Sequence, residues 1–463
     1  MPKRLSPLDV SFLYLEGREA HMHVGSLALF SAPPEGFDFE AFTQHIGRRI
    51  SLVPRYRQKV RWVPGRIANP VWVDDPDFDL TFHVRRSALP RPGTMAQALE
   101  LVARLQSRPL DRSRPLWELY VVEGLEGGKV AIITKTHHAM VDGVSAVDIG
   151  TAILDLEPTP RDIPDDGFRP EGEPSSLRLV ADAVGEYVRR PTAAVDIIRT
   201  AAVDARATLG KAAGAAGGLL AAARTAIRPV PSSPLNVRIG SQRRFAIAAT
   251  ELDDYKRVRK THGGTVNDVV LATVAGALRN WLLTRGEPVL PTTEIRAMVP
   301  VSVRTEGERG ALGNRVSAYF VDLPVGESNP VVRLHQVSHQ MRSLKESGQS
   351  MGADAIVMIS RFAPPTLHAL GARVASGFSR RLFNLVVTNV PGPQMPLYAM
   401  GMQMLAAYPV VPIVRDQTVS IGLTSYNGGV YYGLNADRDA MSDADVLASL
   451  IEESLAELVE TVR

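Results

Sequence analysis

Lys135 to Asp148 reads KTHHAMVDGVSAVD. Val130 to Thr136 (VAIITKT), which runs into it, is apolar and β-branched and predicts a strand; Val144 to Leu156 beyond it predicts a helix. His137 and His138 are therefore expected at a strand's end and Asp142-Gly143 at the turn that follows, a common setting for active sites. Side chains alternate along a strand, so the two imidazoles are expected to diverge, one facing a cavity and the other the protein.

Working outward, Trp117 to Val122 (WELYVV) predicts a strand joined to Val130–Thr136 through Gly124 to Gly128, a hairpin. If Val122 pairs near Val130, Trp117 pairs near Lys135 and the residues before Trp117 run beside the histidines. His23 to Phe30 predicts an early strand, and Met95, Ala98, Val102 and Leu105 recur at helical spacing until Pro109. Glu157 to Pro174 has linker composition. Ser175 to Arg228 is alanine-rich and helical, with eight basic residues against four acidic ones. Such a segment suits an anionic lipid surface, or it is a connector with a solvated charged face; both readings stand.

A second β/α region follows. Arg243 to Thr250 and Phe383 to Val390 predict strands, and Val269 to Leu283 an apolar helix. Thr418 to Tyr426 and Val430 to Leu434 predict a hairpin around Asn427-Gly428-Gly429. Ser442 to Val462 predicts a closing helix with Ser442 as N-cap and Asp445 in the capping-box position. The two halves have similar element content, which suggests a pseudo-duplicated pair: residues 1–170, a basic helical connector 171–235, and residues 236–463.

The chain has 463 residues, 45% of them apolar, enough for two or three cored domains. It has no cysteine, which removes disulfides, thiolate nucleophiles and cysteine metal sites together. Lys and Arg number 52 against 49 Asp and Glu, a net +3, and no nucleic-acid partner is expected. In MPKRLSPLDVSFLYLEG, Asp9 and Glu16 interrupt any signal-peptide apolar region. Ala212 to Ala223 is too short to cross a ~30 Å hydrocarbon core. The expectation is a cytoplasmic protein, soluble or peripheral.

Four chemistries compete for the His137–Asp142 segment. A metal site fits poorly, because adjacent histidines diverge and no HExxH is present; serine hydrolysis lacks a GxSxG elbow. Asp142 also reads as a plain helix N-cap. A histidine acting as general base on an acceptor hydroxyl or amine fits best, since imidazole with a pKa near ~6.5 is largely unprotonated at neutral pH.

His137-His138-Ala139-Met140-Val141-Asp142-Gly143 matches the HHxxxDG signature of CoA-dependent acyltransferases. Leu5-Ser6-Pro7-Leu8-Asp9 with Phe12, Pro115-Leu116-Trp117, Asn267-Asp268 and Asn389-Val390-Pro391-Gly392-Pro393 resemble, in order, motifs of the bacterial wax ester synthase/diacylglycerol acyltransferase family. The resemblance spans nearly the whole chain. It implies an α/β enzyme of two chloramphenicol-acetyltransferase-like domains, mixed sheets with flanking helices, with an active-site tunnel between them. It implies long-chain acyl transfer from acyl-CoA to diacylglycerol or a long-chain alcohol, with no cofactor and no metal, at the inner membrane face or on lipid inclusions. By motif, His138 is the general base, Asp142 a structural support and His137 secondary. Gly143, Pro115, Leu116, Trp117, Asn267, Asp268 and Asn389 are the substrate-binding candidates.

Each motif has a plainer reading beside it. Trp117 at a strand start is ordinary core. Thr265 to Asp268 has capping-box spacing, whereas Asn267 near a helix N-terminus is placed to donate to developing negative charge. The Pro-Gly-Pro turn accounts for Asn389-Val390-Pro391 without catalysis. Without cysteine or serine elbow an acyl-enzyme has no obvious host, so direct transfer in a ternary complex is expected. Two rivals are a condensation-type or polyketide-associated acyltransferase fed by a carrier protein, and a non-catalytic lipid-surface protein on the same fold.

Overall fold

The computed structural model of the chain describes residues 2–33, 35–141, 150, 153–164, 166–189, 230, 233–302, 316–346, 351–352 and 382–462. Its strands are β1 (His23–Phe30), β2 (Gln58–Arg61), β3 (Val71–Asp74), β4 (Val84–Ala88), β5 (Trp117–Glu123), β6 (Val130–His137), β7 (Arg243–Glu251), β8 (Ile295–Ser302), β9 (Val316–Leu323), β10 (Met351–Gly352), β11 (Leu385–Pro391), β12 (Tyr398–Ala399), β13 (Met402–Val410), β14 (Val419–Tyr426) and β15 (Gly429–Asp437). Its helices are α1 (Pro7–Leu15), α2 (Phe39–Arg49), α3 (Leu80–His83), α4 (Met95–Gln106), α5 (Ser176–Arg189), α6 (Leu252–His262), α7 (Val266–Thr284), α8 (Pro330–Glu346) and α9 (Ala444–Glu460).

Two mixed sheets organise these elements. One runs β12-β13-β1-β6-β5-β4 and the other β10-β9-β8-β11-β14-β15-β7, with β2 and β3 forming a separate ribbon. β4 lies parallel to β5, and β11 lies parallel to both β8 and β14. The hairpin β5–β6 forms with Trp117 opposite Thr136 and Val122 opposite Ala131, one residue from the register read off the sequence. In β14–β15, Tyr426 pairs with Gly429 across Asn427-Gly428, whose φ values of 45° and 89° suit a type I′ turn.

Helix starts follow from their caps. Thr94 and Gln97 form a capping box at α4, which buries Leu101, Val102 and Leu105 and exposes Glu100 and Arg104. At α7, Thr265 N donates to Asp268 Oδ2 (2.8 Å) and Asp268 N to Thr265 Oγ1 (3.2 Å). The middle of α7 is apolar on every side because it is packed against the second sheet's core and α9.

Three sequence expectations change. The closing helix starts at Ala444, and Ser442 does not cap it; Asp443 holds the N-cap position without a capping bond. Its carboxylate instead accepts from Trp281 Nε1 (2.9 Å) and from Arg285 Nε (2.8 Å) and Nη2 (2.6 Å). The helix expected over Val144–Leu156 stops short, because Asp155 forms a bridge with Tyr398; Asp142 to Ile149 lie outside the described residues. Residues 236–463 are not a self-contained unit, since β12 and β13 complete the first sheet, with Tyr408 opposite Leu27 on β1. The connector forms helix at α5, while Arg190 to Pro229 lie outside the described residues.

Candidate active site

The site grows from the end of β6. His137 pairs with His23 on β1, and its N–H donates to Leu116 O (2.9 Å), the residue just before β5. His138 N–H donates to Met22 O (2.8 Å), and the chain then turns through a short 3-10 segment, His138–Met140. Strand bonds on both flanks thus fix where the ladder ends and the turn begins.

The two imidazoles sit in different surroundings, His137 at the last position of β6 and His138 in the 3-10 segment that follows. His137 is fully buried, and its Nδ1 accepts the Ala139 N–H (3.0 Å), which places the proton of the neutral ring on Nε2. Nε2 stands 3.5 Å from Glu16 Oε2. His138 lies deep but keeps part of its surface open to water, and its ring stacks on Phe12 with centroids 4.0 Å apart and planes 22° from parallel. Burial pushes the His138 pKa down to about 4, with its own carbonyl acting upward and His137 downward. It is therefore neutral at pH 7, as a base must be.

Charged groups line the inner side. Lys135, two residues before His137 and so on the same strand face, is buried and donates to Leu105 O (3.1 Å) and Arg108 O (2.5 Å) at the C-terminal end of α4. Burial lowers its pKa to about 8, while Glu118, 3.7 Å away, opposes that. His23 Nε2–H donates to Gln106 O (3.1 Å), and burial holds this imidazole neutral.

The other candidates fall in two groups. Leu116 and Trp117 are fully buried: Trp117 Nε1 donates to Tyr56 O (2.7 Å), and His83 stacks on the indole at 4.6 Å while its Nδ1–H donates to Trp117 O (2.7 Å). Their side chains belong to the core and leave no surface for substrate; the motif's contribution to the site is the backbone carbonyl of Leu116 that receives His137. Pro115 is likewise buried. Asn267, on the first turn of α7, and Asn389, near the end of β11, meet with Asn389 Nδ2 3.4 Å from Asn267 Oδ1. Both are half-buried, so two motifs 122 residues apart converge at one place on the second sheet's side. Asp268 is the buried capping-box carboxylate. Asp142 and Gly143 lie outside the described residues.

Sequence reasoning passed over Glu16, His21, His23 and Arg112. Glu16 ends the apolar run Phe12–Leu15, four positions after Phe12, and that placement was the available signal.

The comparisons with known proteins agree along the chain. Residues 5–270 match the family model of the wax ester synthase/diacylglycerol acyltransferase catalytic domain, and residues 312–459 match that of the family's C-terminal domain. The chain is 36% identical over 458 residues to a Mycobacterium tuberculosis H37Rv protein described as a probable diacylglycerol O-acyltransferase, covering 98% of this chain and 95% of that one. This chain belongs to the wax ester synthase/diacylglycerol acyltransferase family. A solved member from Marinobacter aquaeolei VT8 superposes with a TM-score of 0.71 at 30% identity, covering 99% of both chains. The first condensation domain of the calcium-dependent antibiotic synthetase gives a TM-score of 0.60 at 17% identity over 100% of this chain and 97% of that one, a likeness of fold. The resemblance read from the HHxxxDG segment and its companions thus holds for the whole chain.

Proposed function

We propose that this protein transfers a long-chain acyl group from acyl-CoA to the hydroxyl of diacylglycerol or of a long-chain alcohol. The observation that carries the reading is His138: neutral at pH 7, partly open, and held by Phe12 on one side and by the His138–Met140 turn on the other. As the acceptor oxygen bonds to the thioester carbonyl carbon, its proton passes to His138. The tetrahedral intermediate collapses with cleavage of the C–S bond, and the imidazolium returns the proton to the departing thiolate. The products are an ester and CoA. Asn267 and Asn389 are the side-chain amides we assign to the substrate's polar groups.

The protein has no thiol of its own, so any thiol appearing in a reaction of purified enzyme is released CoA. His138→Ala should abolish CoA release from palmitoyl-CoA with either diacylglycerol or hexadecanol; undiminished release by that variant sinks the reading. Parallel double-reciprocal lines would reveal a covalent acyl-enzyme and overturn direct transfer. No cofactor enters this scheme, and activity after dialysis against EDTA should equal that before it.

We further propose peripheral contact with a lipid surface through α5. Among the described residues no helix is long and apolar enough to cross a membrane. α5 buries Leu179 and Ala183 against the Val63, Val71 and Val73 cluster yet leaves Leu177 83% and Val184 51% exposed. Those two are seven residues apart and share a face, directly before the basic stretch beginning at Arg189-Arg190. Leu177→Asp should reduce co-flotation with anionic vesicles; unchanged flotation counts against this contact.

A further inference from the structure

We propose that Glu16 is the positioning residue of the histidine pair, holding His137 in one tautomer and, through it, the turn that aims His138. The proposal deepens the acyl-transfer reading of this site and rests on it.

Glu16 directly follows α1, and its N–H donates to Phe12 O (3.2 Å), so Phe12 and Glu16 stand one helical turn apart. Phe12 stacks on His138 while the Glu16 carboxylate faces His137. One turn of chain therefore touches both imidazoles. The Glu16 side chain is only 8% exposed. Its Oε2 accepts from Arg112 Nε (3.1 Å) and Nη2 and lies 3.5 Å from His137 Nε2; its Oε1 lies 3.7 Å from His21 Nδ1. Arg112 also donates to Leu13 O (3.0 Å), anchoring the loop before β5 to the end of α1.

The logic is one of proton accounting. His137 Nδ1 is occupied as the acceptor of the Ala139 N–H, so the neutral ring must carry its proton on Nε2. That nitrogen is buried and has no hydrogen-bond partner among the described residues; the carboxylate of Glu16 is what it faces. A buried donor without a hydrogen-bonded acceptor is costly, and the Glu16 carboxylate 3.5 Å away offsets that cost electrostatically. Burial opposes the charge on Glu16, but His137, His21 and Arg112 together hold its carboxyl well below the usual carboxylate range. Other titratable neighbours are His23, paired with His137 across the strands, and Lys135, which points into the same interior.

With the carboxylate gone, the Ala139 bond is the one contact among the described residues still favouring the proton of His137 on Nε2, and the buried Nε2–H loses the charge it faces. A move of that proton to Nδ1 breaks the Ala139 bond that shapes the turn, and His138 loses its aim. Misplacing a catalytic group by about 1 Å costs on the order of 100-fold.

The test combines kinetics with nitrogen NMR of 15N-histidine-labelled enzyme at pH 7.5. Glu16→Gln should lower kcat about 10- to 100-fold with KM for palmitoyl-CoA within about twofold, and Glu16→Asp should recover part of the rate. The native spectrum should show His137 as the Nε2–H form and the Gln variant a tautomer mixture. In a His137→Ala background, Glu16→Gln should add little, because its partner is gone. Additive losses in the double variant, or an unchanged His137 tautomer in Glu16→Gln, overturn the proposal. Should Glu16→Gln unfold, Arg112→Ala, which alters a half-exposed side chain, must shift the same nitrogen signals. The NMR arm needs no turnover, so failure of the acyl-transfer reading, seen as undiminished CoA release by His138→Ala, is read separately.

Discussion

His137 and His138 are the same residue at neighbouring positions, yet the fold makes opposite things of them. His137 is sealed in, its two nitrogens facing the Ala139 N–H and Glu16. His138 keeps open surface and leans on an apolar ring. The difference arises from one step along β6: the ladder to β1 and the residue before β5 ends at His137, and the next residue begins the turn. Residue type alone therefore does not identify a base; its position at the end of the hydrogen-bond ladder does.

The sharpest way to break that contrast is to truncate each ring. His138→Ala should cost about 10²–10⁴-fold in kcat, the range of general-base catalysis. His137→Ala should cost less and lower thermal stability as well, since it removes a buried ring. Equal and complete loss in both, with both folded, would erase the division of labour. The pH profile sharpens it next. A base acts when unprotonated, and His138 sits at about 4 instead of 6.5, so kcat/KM should stay flat as pH drops through 6.5 and decline only well below it. An acid limb centred at 6.5 or above would mean that the working imidazole is not the buried His138 described here.

Stability should respond in the range where activity does not. His23 and His83 are buried, and burial depresses both pKa values, that of His83 to about 4. Below 6.5 the unfolded chain binds protons that the folded chain refuses, at His83 down to about pH 4, so stability is full above 6.5 and falls as pH drops below it. Each such histidine should account for about 1 kcal/mol between pH 7.5 and 5.5. Glu16 does not contribute there, because its carboxyl stays ionised in both states. Urea unfolding at the two pH values measures the loss, and equal midpoints would contradict neutral burial.

Much of this was legible beforehand. β1 has the bounds that the sequence suggested, β6 runs one residue further, to His137, α4 starts at Met95 as its spacing suggested, and the hairpin register is within one residue. The strand period predicted unlike surroundings for the two histidines, but the difference arises because β6 ends between them. Other features depend on contacts far apart in sequence. That β13 completes the first sheet is invisible to local pattern, because an antiparallel partner for β1 can come from anywhere in the chain. Glu16 was noticed only as a charge interrupting an apolar run; that it faces His137, 121 positions away, depends on α1 packing against the turn at His138. The meeting of Asn267 with Asn389 likewise required the second sheet to form.

The contrast between like residues recurs, at smaller scale, where two helices begin. Thr265-Val266-Asn267-Asp268 and Ser442-Asp443-Ala444-Asp445 present the same spacing of hydroxyl and carboxylate. The first closes a capping box at α7; the second does not, because Asp443 is turned to Trp281 and Arg285, which fixes the entry of α9 and leaves Ser442 exposed. Thr265→Ala should therefore cost about 1 kcal/mol, the ordinary value of a lost N-cap. Ser442→Ala should stay within about 0.5 kcal/mol, as for an exposed position without a partner. Equal costs in a urea titration would show that Ser442 caps α9 in solution and that the Asp443 contacts are not what sets the start of that helix.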